Sequence, residues 1–367
     1  MLRFAVPLAA CLLAAGFSSW PGLSASLAGH LIAPDGTSPL LPAARLDAAF
    51  ARLPDRSGRV TTRAGVPVFW RAIDPGDYRL RATWPHDRTR GDTFPTLEFD
   101  VPAVPAPAPR GTVVLLHGWM MNGDSLLPWA LRLGEAGYRT IAIDLRNHGR
   151  SGRAPSGYGT REAADVVDVV AALRARGEIV GPLHVLGVSY GAATAIFAAA
   201  DPRLRAERVV ALESFAVAGT AIRDMVPHML DNGPATWSER MARRWMHWRL
   251  DAAVLDAAID QAGATLDLPL DAVDVGAALA QVPCALLVHG DADRHVPVAH
   301  GRALAAAAPH ARYLEVPGED HLGLPMRLDV LAPIVVDWFD GPACPGSVLA
   351  GTESPTPTER GKRPPAR

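Results

Sequence analysis

Short uninterrupted runs of valine, isoleucine, leucine and alanine alternate along this chain with stretches whose apolar residues recur every three or four positions. The runs at residues 112–116, 138–143, 183–187 and 208–212 are too brief for helices and read as strands. Between them, residues 126–136, 161–176 and 191–200 carry a helical period. Strands that are apolar on both faces and separated by helices predict a mostly parallel sheet covered on both sides. Two further strands of this kind, over 285–289 and 313–316, come much later.

The flanks read differently. Residues 66–70, 78–84 and 96–101 are expected to be antiparallel strands, with turn signals at Asp74-Pro75-Gly76 and Arg90-Gly91-Asp92. Residues 27–59 show no sustained period and suit a linker or short packing arm, and the proline-alanine stretch 102–109 is stiff and extended. Residues 213–281 read as helical with no convincing strand, the place for a lid inserted between two parts of a core over 60–212 and 282–341. The best helix there begins at Thr236-Trp237-Ser238-Glu239, a capping-box pattern, and carries Met241, Trp245, Trp248, Ala252, Leu255 and Ile259 on one face. That face either packs on the body of the protein or roofs a substrate site with Trp245 and Trp248. Residues 342–367 have the composition of a disordered tail.

Composition narrows the partners. At 367 residues and 49% apolar, the chain can bury a sizeable core, and a net charge of −2 with scattered arginines gives no footprint for nucleic acid. Arg3, an apolar run over 4–17 and small residues over 18–26 resemble a secretory signal peptide, too short for a stable membrane span. Cys11 lies inside that run without the polar tether of a lipoprotein, and a buried start helix is the other reading of the segment. Removal of residues 1–26 implies a periplasmic or secreted protein, in which Cys284 and Cys344 either pair or stay as a core residue and a tail thiol. The oligomeric state is open.

The chemistry concentrates at strand ends. Gly187-Val188-Ser189-Tyr190-Gly191 joins the strand at 183–187 to a helix, and a sharp strand-to-helix turn strains its middle residue in a way that small residues two positions away permit. Ser189 then stands clear of the sheet beside a helix N-terminus that favours negative charge on a reacting oxygen. A serine hydroxyl needs a histidine to take its proton and a carboxylate to orient that histidine. Asp293 and His321 follow the two late strands in the chain order Ser, Asp, His. Ser189 is thus the expected nucleophile, His321 the base and later the acid, and Asp293 the orienting carboxylate, with Asp291 and Glu213 as its competitors.

These motifs together resemble an α/β-hydrolase-fold serine hydrolase over most of residues 112–339. His117-Gly118-Trp119 is similar to the family's oxyanion loop, Asp144-Leu145-Arg146-Asn147-His148-Gly149 to the loop after the next strand with Asn147 in place of a glycine, His289-Gly290-x-x-Asp293-x-x-Val296-Pro297 to the acid loop, and Gly318-x-x-His321 to the histidine loop. Within the family, Tyr158-Gly159-Thr160-Arg161-Glu162 and Pro269-Leu270 resemble bacterial esterase and serine-aminopeptidase-like members. The resemblance implies an α/β class fold, with the backbone N–H groups of Trp119 and Tyr190 as oxyanion donors. Met120 and Met121 line an acyl pocket or simply pack the loop. Asp144, His148 and His295 are expected to fix loops by bonding backbone. No His/Asp spacing suits a metal and no glycine-rich phosphate loop is present, so no cofactor is expected. The expected reaction is cleavage of a small-molecule carboxylic ester through an acyl-serine. An aminopeptidase, amidase or acyltransferase would use the same groups, and a binding protein without turnover is the alternative of another kind.

Overall fold

The computed structural model describes residues 20–33, 43–53, 55–83, 96–101, 107–232, 251–342 and 344. Helices α1 (Trp20–Ile32) and α2 (Ala43–Phe50) precede the hairpin β1 (Asp55–Thr61) and β2 (Pro67–Ile73) and a small ladder of β3 (Arg81–Thr83) and β4 (Thr96–Glu98). The alternating part follows as β5 (Thr112–Leu116), α3 (Leu127–Glu135), β6 (Arg139–Ile143), α4 (Thr160–Ala175), β7 (Leu183–Val188), α5 (Tyr190–Ala200) and β8 (Arg208–Leu212). After β8 the described residues form α6 (Ala218–Asn232), α7 (Ala252–Leu266) and α8 (Val275–Leu279). The remaining elements are β9 (Ala285–Gly290), α9 (Val298–Ala307), β10 (Arg312–Val316) and α10 (Leu328–Asp340).

Eight strands form one sheet in the order β1-β2-β6-β5-β7-β8-β9-β10. β2 runs antiparallel to β1 and β6, and all other neighbours are parallel. Strand periodicity divides the apolar side chains between two cores. Val114, Leu116, Val185 and Ala211 point to one face, with α4, α5 and α7, while Val113, Leu115, Leu186 and Val210 point to the other, with α3 and α10. Because β6 and β7 lie on opposite sides of β5, the connections diverge there and open a crevice at the strands' carboxyl ends. The register sets Val188 beside Leu212 and Leu212 beside Val288, so Ser189 and Glu213 emerge level with the loop after β9.

Several expectations for the flanks need correction. The segment read as a linker or short packing arm holds α2 and β1, with Leu46 and Ala49 packed in a core as an arm would be, and the first strand begins at Asp55 rather than after residue 60. β1 escaped notice because only Val60 of its seven residues is buried, leaving no apolar alternation to read. Residues 1–19 lie outside the described residues, and the expected cleavage boundary at 26 falls inside α1. There Ser24, Leu27, Ala28 and Leu31 are buried and the Tyr158 hydroxyl donates to the Leu31 carbonyl at 2.7 Å. The strand expected over 78–84 is confined to β3, while the Tyr78 hydroxyl bonds the Asp74 carbonyl at 2.6 Å. Cys284 and Cys344 form a disulfide, with Cα atoms 5.7 Å apart. Among the described residues no helix is long and apolar enough to cross a membrane.

Candidate active site

Ser189 sits between β7 and α5 at φ 53° and ψ −114°, a backbone conformation that an L-residue adopts only under constraint. The constraint is steric. A Cβ on Gly187 would meet the Gly191 carbonyl oxygen at 2.1 Å, and one on Gly191 would meet the Leu116 carbonyl oxygen at 2.2 Å. The Ser189 amide is tied to the Leu212 carbonyl at 2.8 Å. Its side chain is thereby aimed out of the sheet, and the Tyr190 amide is the first of the N–H groups that α5 leaves without an intrahelical acceptor.

The loop after β5 is held by two neutral histidines. The Leu145 amide donates to His117 Nε2 at 2.9 Å, so the ring's proton is on Nδ1 and is donated to the Gly118 carbonyl at 2.8 Å. Complete burial, then His148, pushes the His117 pKa down to about 3. His148 Nε2 accepts from the Met120 amide at 3.3 Å, its Nδ1 lies 2.8 Å from the Arg146 carbonyl, and Met120 is held at φ 58°. The Met121 amide bonds the Gly118 carbonyl at 3.2 Å, whereas the Trp119 amide has no such bond among the described residues. Among the described residues the amides of Trp119 and Tyr190 thus have no hydrogen-bond acceptor. Met121 is buried against Gly118, the packing alternative, while Met120 is half-buried. Sequence reasoning missed the aromatic cluster behind this loop: the Trp119 ring lies 5.2 Å from that of Tyr158 and 5.3 Å from that of Tyr190, whose hydroxyl is 2.7 Å from Ser156 Oγ.

Asn147, where a glycine was expected, has φ 70°. Asparagine is among the few residues that tolerate the left-handed region, and its amide closes the turn by donating to the Ala154 carbonyl at 2.6 Å and accepting from the Ala154 amide at 2.9 Å. Asp144 fixes the same loop, accepting from the amides of Gly123 at 2.7 Å and Arg150 at 2.8 Å.

His321 completes the line. Its Nε2 lies 3.0 Å from Ser189 Oγ and its Nδ1 2.6 Å from Asp293 Oδ2. The other Asp293 oxygen accepts from the amides of His295 at 2.8 Å and Val296 at 2.9 Å. Burial alone would raise the Asp293 pKa, but His321, His289 and the Val296 amide outweigh it and hold the carboxyl well below its ordinary range. Asp291, the competitor in the same loop, is exposed and takes up the Gly318 amide at 2.6 Å. Glu213, the other competitor, is fully buried, with Oε2 3.6 Å from His321 Nδ1. Glu213, Asp293 and His321 also bring possible ligand atoms within 4.8 Å of one another. Tetrahedral ligands about 2.0 Å from a zinc ion stand roughly 3.3 Å apart, so the 2.6 Å contact is a hydrogen bond and not a metal pair.

His295 departs from its expected role, because its side chain does not bond backbone among the described residues. Its ring stacks on His321 at 5.4 Å and meets His228 of α6 edge-on at 4.5 Å. Burial, then those two neighbours, pushes its pKa down to about 4, which leaves it neutral beside His321 at ordinary pH. Met241, Trp245 and Trp248 lie outside the described residues. Leu255 and Ile259, at the far end of the same expected stripe, are on α7 and buried in the core.

Such a line of hydroxyl, imidazole and carboxylate, with amide donors beside the hydroxyl, can move a proton off the serine while charge gathers on a nearby oxygen. Known proteins share its setting. The fold is similar to that of an esterase of Pyrococcus furiosus, with a TM-score of 0.56 at 18% identity over 84% of this chain and 98% of the other. A membrane phospholipase A is similar with a TM-score of 0.52 at 17% identity, over 92% and 98% of the two chains. In sequence, a serine hydrolase-like protein of Dictyostelium discoideum is 28% identical over 168 residues, which are 40% of this chain and 45% of that protein's length. A non-heme haloperoxidase of Rhodococcus erythropolis is 29% identical over 238 residues, 57% of this chain and 85% of its own. Residues 113–333, more than half of the sequence and the part that carries β5 to β10, match the description of one family throughout, and the chain belongs to it: the alpha/beta hydrolase family.

Proposed function

We propose that this chain is a serine hydrolase that cleaves a carboxylic ester through an acyl-serine, with Ser189, His321 and Asp293 as its triad. The continuous line from Ser189 Oγ through His321 to Asp293, at 3.0 and 2.6 Å, carries the reading. Ser189 Oγ attacks the ester carbonyl carbon as its proton passes to His321 Nε2, and the amides of Trp119 and Tyr190 hold the oxygen that becomes negative. Asp293, with its charge fixed by two amides, keeps the Nδ1 proton in place and stabilises the imidazolium. His321 then returns the proton to the departing alcohol oxygen. A water molecule, deprotonated by the same nitrogen, attacks the acyl carbon and releases the acid and Ser189.

A fluorophosphonate probe and a panel of nitrophenyl esters beside aminoacyl amides test this on wild type and Ser189→Ala. Labelling and ester turnover that vanish in the variant are the expected result, and failure to label Ser189 would return the chain to a binding role. The relatives named haloperoxidases favour one further arm: hydrogen peroxide taking the place of water at the acyl-serine would release a peracid, detected by halogenation in the presence of a carboxylic acid. The N-terminal apolar run and the Cys284–Cys344 bond support a periplasmic or secreted location. The helical segment between β8 and β9 is read as supplying a lid, although Leu255, Ile259 and Leu266 of α7 pack in the core.

A further inference from the structure

Glu213 follows β8 as Ser189 follows β7, with its amide bonded to the Val288 carbonyl at 2.8 Å. It is fully buried, and among the described residues neither carboxyl oxygen has a well-formed hydrogen bond, the Gly290 amide being the one donor near enough to favour its charge. Its backbone lies at φ 56°, where a glutamate is strained and a glycine would not be. A long acidic side chain kept at a strained position and buried without a partner costs stability twice over. The side chain points to the triad: Oε2 is 3.6 Å from His321 Nδ1, the atom that Asp293 bonds at 2.6 Å. Gly290 leaves it room, since a Cβ there would come within 3.3 Å of Glu213 Oε1.

We propose that Glu213 is a second positioning residue for His321, a carboxyl group standing by at the ring nitrogen that Asp293 occupies. This rests on reading Ser189, His321 and Asp293 as a triad. Two buried carboxyls so close to one imidazole cannot both ionise cheaply. Asp293 takes the charge because it has two amides and His321 around it. Glu213 takes the proton, since burial and then the charges of Asp293 and Asp320 push its pKa well above the carboxylate range. Glu319 adds a smaller push in the same direction and is itself paired with Arg327. When Asp293 is made neutral, the largest of the opposing charges disappears. Burial still opposes a charge on Glu213, but the Nδ1 proton left without its acceptor 3.6 Å away favours one, and Glu213 accepts that hydrogen bond in place of Asp293.

The experiment is a double-mutant cycle with a spectroscopic arm. Asp293→Asn should retain a residual kcat/KM that Asp293→Asn/Glu213→Gln lowers at least about tenfold further. Equal rates in the two variants overturn the proposal. Infrared difference spectra of wild type against Glu213→Gln at neutral pH should show the carbonyl band of a protonated carboxylic acid, and a carboxylate band in its place also overturns it. A raised acid stabilises the fold while protonated and loses that contribution as pH rises through its folded value. Wild type should therefore lose melting temperature on the alkaline side relative to Glu213→Gln, and parallel curves count against the proposal even where the double variant does not fold. Ser189→Ala keeps the two readings apart: activity that survives it defeats the triad, whereas a dead Ser189→Ala beside an uncoupled Glu213 defeats this inference alone.

Discussion

The elbow and the acid corner hold their groups by different physics. Around Ser189, contacts of 2.1 and 2.2 Å await any carbon added at Gly187 or Gly191, so the backbone is fixed by excluded volume. Around His321, positions are set by hydrogen bonds of 2.6 to 3.0 Å and by which of two buried carboxyls is charged. Excluded volume takes no account of pH. Charge does, and it allows a neighbour to substitute. The first region therefore demands particular residue types, and the second demands a particular count of protons.

Removing a reacting group should have the largest effect. Ser189→Ala and His321→Ala are each expected to lower kcat by about 10⁴-fold or more, Ser189→Ala with a near-wild-type melting temperature and His321→Ala with a lower one because it leaves the buried Asp293 charge without its partner. A variant that keeps a sizeable fraction of the rate would break the assignment. Asp293→Asn should cost roughly 10³–10⁴-fold in kcat and exposed Asp291→Asn very little, and the reverse order would move the orienting role. Gly187→Ala sharpens the contrast from the elbow side, with an expected loss of on the order of 4 kcal/mol in urea denaturation that no change of pH recovers. A soluble variant with the wild-type midpoint would show that the elbow yields. Away from both regions, Cys344→Ser should lower stability by about 3 kcal/mol while leaving kcat unchanged. The smallest effect tests the proposed lid: Trp245→Ala or Trp248→Ala should shift the preference among ester chain lengths by roughly 1–3 kcal/mol in kcat/KM. A lower melting temperature with an unaltered ranking would make those residues packing alone.

The parts of the molecule that could be read from sequence are those where one physical demand selects residue types locally. The mostly apolar strands β5 to β9, the glycines flanking Ser189 and a carboxylate and a histidine at strand ends are of this kind. β1 makes its contribution through backbone pairing with β2, which polar side chains do not disturb, so its sequence carries no period. α1 is rich in small and apolar residues for packing on the core, the same composition that a signal sequence shows beside its cleavage site. Glu213 was visible as an acid at a strand end, but its burial next to Asp293 depends on the register of β8 and β9 across more than seventy residues of chain. The ring stack of His295 on His321 likewise joins two loops that share no local pattern.

The bond between Cys284 and Cys344 makes a covalent ring of the chain between them, a separation of 60 residues that takes in β9, α9, β10 and α10. Asp293 and His321 are both on that ring, and Ser189 is not. The bond ties the residues after α10 to the start of β9, and a chain that has lost its sheet still keeps the aspartate and the histidine on one closed path. Ser189 stays on the open part of the chain, so when the protein refolds the nucleophile is the one member of the three that must be brought back from a distance.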